Sequence, residues 1–284
     1  MRHSLRYGLL VAPAALLTAV LFLYPLGFSL ASAFITDASA FITDAPAFTL
    51  AHFTKVFDLY SQDILFSLVI VLVSVAVLAL IAVALSGVIV LSPYRGLARA
   101  FGLLYRLPLF IPFIVTAQMM RTFLAKNGLM NNALVASGLF TPLETVSWLG
   151  WKGILITFVW KQMAFVTLLT CGAMASVEPA QIQAAKNLGA SRIRILLQVL
   201  LPQALPTLGV ALVLSTVTMF SVLSVPLMIG TGTPTMMTVD MAFRVSSYGD
   251  YHVANALGVI SYLICALLSW FYLRHSLKEK GAHA

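Results

Sequence analysis

Residues 64–91 read ILFSLVIVLVSVAVLALIAVALSGVIVL, with no charged side chain anywhere in the run. A helix of a soluble domain is apolar along one stripe, whereas here apolar residues fall on every face. A hydrocarbon core of about 30 Å needs roughly 20 such residues per helix. Backbone N–H and C=O groups in lipid must be satisfied within the segment, so the run is a membrane-spanning helix. Further apolar runs lie at about 7–35, 107–125, 153–176, 205–228 and 252–273. The expected architecture is therefore an all-α membrane protein, with six transmembrane helices in a single domain over 1–284. Composition agrees, since 9% charged and 61% hydrophobic residues depart far from the quarter charged of soluble chains.

The first run needs separate treatment. Arg2 and Arg6 precede it, and Ala31-Ser32-Ala33 resembles a cleavage site, as in a secretory signal. The apolar stretch is longer than a signal core and continues through Tyr24 and Pro25, so it is read as a retained span.

The net charge of +8 follows from topology. Arg2 and Arg6 precede span one, and Arg95, Arg99 and Arg106 separate spans two and three. Lys186, Arg192 and Arg194 lie between spans four and five, and Arg274, Lys278 and Lys280 follow span six. The opposite loops carry Lys55, Lys126, Lys152 and Arg244 among most of the acids. Lys and Arg accumulate on the cytoplasmic side, which places both termini in the cytoplasm. The charge then gives no ground for nucleic-acid binding. All nine acids are assigned to loops or tails.

Residues 32–38 read SAFITDA, and residues 39–45 repeat them. Two copies make a small tandem duplication, not a repeat architecture. Cys171 and Cys265 sit in apolar runs and are read as small hydrophobes, without a disulfide or metal site. His3, His52, His252, His275 and His283 show no ligand spacing.

The loop at 177–205 has a designed local structure. Glu178-Pro179 opens a helix of good helix formers through Lys186, and Gly189 suits a left-handed C-cap. Ser191 then N-caps a second amphipathic stretch, 192–201, with Pro202 and Pro206 as stops. Small Ala184 and Ala185 permit close approach by another surface. A docking knob and an ordinary headgroup helix are both open on composition alone.

Spacing decides between them. Gln183-Ala184-Ala185, three residues, Gly189, nine residues, then Val199-Leu200-Leu201-Pro202 resembles the EAA signature E-A-A-x3-G-x9-I-x-L-P. That signature belongs to permease (transmembrane) subunits of binding-protein-dependent type I ABC importers. Trp160-Lys161 with Phe165 and Thr167, and Leu188-Gly189-Ala190-Ser191, are also similar to that family. Gln183 stands where the signature has glutamate, and Val199 where it has isoleucine. The resemblance implies a cytoplasmic coupling helix between spans four and five, with Gln183, Ala184, Ala185, Gly189 and Pro202 meeting an ATPase. It implies two ATP-binding subunits, a second permease chain, identical or homologous, and a periplasmic or lipid-anchored solute-binding protein, all at the bacterial inner membrane. No G-x4-G-K-[ST] occurs, so the chain has no P-loop, no cofactor is expected in it, and ATP is assigned to the partner.

For the solute pathway, Gln118, Arg121 and Thr122 share a helical face at i, i+3 and i+4. Arg121 either favours an anionic solute or snorkels to the headgroups, and both uses stay open. Lys161 is read as structural. Ser215, Thr218, Ser221 and Ser224 form a slanting ridge, with Ser221 a pathway candidate and interhelical packing the plain use. Ala12-Pro13, Tyr24-Pro25, Arg106-Leu107-Pro108-Leu109 and Asn127-Gly128-Leu129 look most like the polyamine, opine and phosphonate branch. Thr116-Ala117-Gln118-Met119-Met120 departs from the polyamine pattern, so the expected solute leans to a phosphonate-type compound, with a polyamine-like one behind it. The alternative class is an ion-coupled secondary transporter, which calls for inverted repeats and a midplane carboxylate.

Overall fold

The computed structural model describes residues 12–36 and 47–281. Arg2, Arg6, His3, His283 and the second copy of the SAFITDA repeat lie outside the described residues. Among the described residues the fold is helical, with one isolated bridge between Ile35 and Phe48 and no strand. Among the described residues, five helices are long and apolar enough to cross a membrane, and a bent pair brings the number to six if it counts as one span.

The chain falls into two compact units. The smaller comprises residues 1–61 and 240–263. Within it, α1 (Ala12–Ser32) ends where Ala33 N–H bonds Ser29 O and Leu30 O. Ser29 Oγ lies 2.7 Å from Asn255 Oδ1, and Asn255 Nδ2 donates to Ser32 Oγ at 3.1 Å. Asp250 pairs with Lys55 at 2.9 Å and with Arg244 at 3.4 Å. The buried environment pushes the Asp250 carboxyl up. The Lys55 and Val253 N–H donors, with the charges of Lys55 and Arg244, outweigh that and hold it below the usual carboxylate value.

The run at 64–91 is the inner part of α2 (Ala51–Leu91), 41 residues long. At 1.5 Å per residue α2 measures about 61 Å, twice a hydrocarbon core. It begins earlier than the apolar run because residues 51–63 contain neither Pro nor Gly, so nothing stops the helix before that run. The assignment of every acid to loops or tails is thereby corrected. Asp63 lies in α2, 9% exposed, where its carboxylate accepts Thr235 N–H at 2.6 Å. One turn on, Ser67 Oγ accepts Met237 N–H at 2.9 Å. These two side chains hold the 230–237 segment against α2.

The loop expected between spans two and three is itself helical. In α3 (Arg95–Leu104), Leu97 and Leu104 lie on one face, 45% and 59% exposed.

The expected span 107–125 is not one helix. The chain runs Gly96–Phe110, then Phe113–Ala136, with a bend of 110°. Leu107–Phe110 is a 3₁₀ turn, and Pro112 precedes α4 (Phe113–Leu124), which leads into α5 (Leu129–Ala136). The cause is Pro112, whose missing N–H cannot bond Pro108 O. Lys161 of α6 (Trp151–Ala175) supplies the donor instead. Its ammonium, on a side chain only 8% exposed, donates to Pro108 O at 2.6 Å and to Ile111 O at 2.5 Å. The reading of Lys161 as structural has this bond set as its physical basis.

Beyond α7 (Pro179–Asn187), α8 runs continuously from Arg192 to Ser221. Pro202 and Pro206 therefore do not stop the second loop helix. Leu196–Leu200 widens into a π turn, closed by Leu201 N–H on Leu196 O. The shift in register leaves Pro202 in the first turn of the resumed α ladder, where a missing N–H is tolerated. At Pro206 the Tyr272 hydroxyl donates to Leu205 O at 3.0 Å. Gly209 makes this approach possible, because a Cβ there would lie 1.4 Å from the Tyr272 hydroxyl oxygen.

The expected span 205–228 is divided in turn. Val222 is extended, and α9 (Ser224–Ile229) starts afresh. Pro226 has no N–H for Val222 O, and Thr238 Oγ1 donates to that carbonyl at 3.3 Å. α10 (Met237–Phe243) and α11 (Tyr251–Gly281) complete the chain, with α11 outrunning the expected end at 273. In the larger unit, residues 62–239 and 264–284, the core gathers Leu78, Phe158, Ala211, Met219 and Ile229.

Candidate functional site

The 177–205 segment folds as its local chemistry dictates. Pro179 occupies the first turn of α7, where its lost N–H costs nothing. Gly189, at φ 77°, ends the helix: Gly189 N–H bonds Lys186 O at 2.9 Å and Ala190 N–H bonds Ala185 O at 3.0 Å. A residue with a Cβ strains at that φ. Ser191 Oγ then accepts Arg194 N–H at 3.3 Å and caps α8.

The five motif positions divide by face. Gln183 and Ala184 are exposed, and so are Gly189 and Pro202. Ala185 is half-buried against a small core of Met174, Val177, Ile195, Leu200 and Ala204. Gln203 Nε2 donates to Gln181 Oε1 at 2.8 Å and to Val199 O at 2.9 Å, tying α8 to α7. The outcome is a rigid helix, turn and helix that offers small side chains to the surroundings.

Sequence reasoning assigned no surface role to Leu188 and did not single out Ile193. Leu188 is 88% exposed and Ile193 70% exposed, on either side of the turn. A cleft of about 620 Å³ opens beside α7, lined by Gln183, Lys186, Ser191 and Arg192 facing the end of α2 at Ser92 and Pro93. The spacing of Lys186 and Arg192 across a glycine turn was the available signal.

The pathway candidates are not all brought together. Gln118 and Thr122 line a largely apolar cavity of about 610 Å³ with Met119, Phe123 and Trp160, and Arg121 is absent from its lining. Arg121 is exposed on α4, and Thr122 Oγ1 donates to Gln118 O at 3.1 Å. Ser221 is exposed at the end of α8, with its hydroxyl on Val217 O at 2.7 Å, whereas Ser215 is fully buried.

Known proteins resemble the chain over most of its length. It is 24% identical over 279 residues to the sulfoquinovosyl glycerol transport system permease protein SmoG of Agrobacterium fabrum, covering 94% of this chain and 88% of that one. It is 28% identical over 189 residues to the trehalose/maltose transport system permease protein MalF of Thermococcus litoralis, covering 63% of this chain and 62% of the relative. Among solved structures, a bacterial ABC transporter involved in the import of the acidic polysaccharide alginate matches in fold. The TM-score is 0.78 at 23% identity, covering 98% of this chain and 96% of that one. None of these names is a polyamine, opine or phosphonate permease, so they lend that branch no support. They do not favour the ion-coupled secondary transporter either. Residues 87–278 match the family described as the binding-protein-dependent transport system inner membrane component, and the chain, a multi-pass transport protein of the inner membrane, belongs to that family.

Proposed function

We propose that this chain forms half of the translocation pathway of an ATP-driven importer, and that its 177–205 segment docks on a cytoplasmic ATPase subunit. The carrying observation is the geometry of α7, Gly189 and α8, in which Gln183 and Ala184 stand exposed on a helix locked by a left-handed glycine turn. Two ATPase subunits, a second permease chain and a periplasmic or lipid-anchored binding protein complete the assembly, with both termini of this chain in the cytoplasm. ATP is bound by the partner, since the sequence has no P-loop.

The solute in this reading is a sugar or oligosaccharide, in place of the phosphonate-type or polyamine-like compound expected from sequence. Support comes from the permeases it resembles, named for sulfoquinovosyl glycerol and trehalose/maltose. Gln118 and Thr122 with Trp160 offer the neutral polar groups and flat ring that suit a polyhydroxylated solute better than a single cation such as Arg121.

The test uses vesicles containing the permease pair, its ATPase and its binding protein. Gly189→Glu, or deletion of Ala184 and Ala185, is expected to abolish solute-stimulated ATP hydrolysis while the permease stays in the membrane. Unchanged stimulation would remove the docking role. Sugar uptake that outcompetes phosphonate and polyamine uptake supports the solute assignment, and the reverse order overturns it.

A further inference from the structure

The cleft beside α7 is electrostatically one-sided. Lys186 and Arg192 both line it, and no acidic residue does among the described residues. Both cations are exposed, and among the described residues neither forms an ion pair within the chain, where the salt bridges are those of Asp250. Arg194 adds a third exposed cation, and the one acid of the segment is Glu178, so residues 177–205 carry a net charge of +2. Leu188 and Ile193, beside these charges in sequence, are strongly exposed.

We propose that the ATPase partner meets this segment with an acidic groove. An Asp or Glu of the partner enters the cleft between the end of α2 and the α7–α8 turn and pairs with Lys186 and Arg192, while Leu188 and Ile193 fill apolar pockets beside it. The inference rests on the docking reading above and adds the chemistry of the partner's surface. Two cations facing one cleft repel each other, and a single carboxylate satisfies both, with the guanidinium able to bind it bidentately. Gln183 belongs to the same lining. A glutamate there would stand one turn from Lys186, at i and i+3, and would supply the carboxylate from within the chain. The amide leaves both cations available to a partner.

Association of the purified permease with its own ATPase, measured in neutral detergent, reads the proposal directly. Lys186→Glu with Arg192→Glu is expected to weaken association about tenfold or more, and Gln183→Glu by about threefold, as for charged rim contacts. Acid-to-lysine changes in the partner groove should restore binding to the Glu pair. Lys186→Gln with Arg192→Gln preserves helix propensity, so it decides the matter if the Glu pair fails to insert: it should flatten the salt dependence shown by the unmodified complex. Wild-type affinity in the charge variants, with Gly189→Glu still uncoupling, overturns the acidic groove and leaves the docking role standing. Wild-type affinity together with an innocuous Gly189→Glu removes the docking role itself. A defect seen only in vesicles containing anionic lipid assigns the cleft to a headgroup and also overturns the inference.

Discussion

Replacing Lys161 by Met separates a structural lysine from a pathway lysine. The substitution keeps the length of the stem and its packing, and removes two charge-assisted hydrogen bonds, to Pro108 O and Ile111 O. Such bonds contribute about 1.5–3 kcal/mol each. Burying the ammonium on a side chain 8% exposed offsets part of that sum, which leaves a net loss of about 2–4 kcal/mol. At about 2–4 °C per kcal/mol for chains of comparable size, the unfolding midpoint should fall by about 4–16 °C. Tryptophan fluorescence during heating in detergent measures the shift, and uptake into vesicles, assayed well below the midpoint, should be largely retained. A midpoint within about 1 °C of wild type, combined with lost uptake, would refute the reasoning and assign Lys161 to the pathway.

Gly209→Ala places a methyl group on the Tyr272 ring, with Cβ 1.4 Å from the hydroxyl oxygen and 1.5 Å from Cζ. The overlap should cost about 1–3 kcal/mol, and adding Tyr272→Ala should cost less than the two changes summed; strict additivity would show that the helices do not meet there. Asp250→Asn tests the Lys55 and Arg244 cluster. A depressed carboxyl contributes stability that is present above its unfolded value and lost as pH falls through its lowered folded value. The wild-type advantage in midpoint over Asp250→Asn should hold at neutral pH and close below about pH 4. An advantage unchanged at acid pH would exclude the ionised pair as its source.

The parts of the fold legible in the sequence are those governed by neighbours in the chain. Pro179, Gly189 and Ser191 each act within four residues, so the order of helix, turn and helix in 177–205 could be read directly. The prolines of the spans could not. Pro112 breaks a helix, Pro202 and Pro206 are carried through one, and Pro226 follows a break. Lys161 and Thr238 take up the carbonyls freed by Pro112 and Pro226 from 53 and 16 residues away, and Tyr272 bonds Leu205 O, beside Pro206, from 67 residues away. Local pattern contains nothing of such partners. The same applies to Asp63, whose donor Thr235 is 172 residues away. In the candidate site, the motif positions were visible by spacing. The cleft that unites Gln183, Lys186 and Arg192 with the end of α2 required the folded chain.

The passage of α8 through two prolines has a mechanical meaning. Its 30 residues, Arg192–Ser221, form a lever of about 45 Å with one end at the loop turn. A tilt of about 10° at that turn swings the far end by about 8 Å. The π turn and Pro206 sit in the half nearest the loop, so under the proposed docking on an ATPase they would set how stiff the lever is where the partner acts.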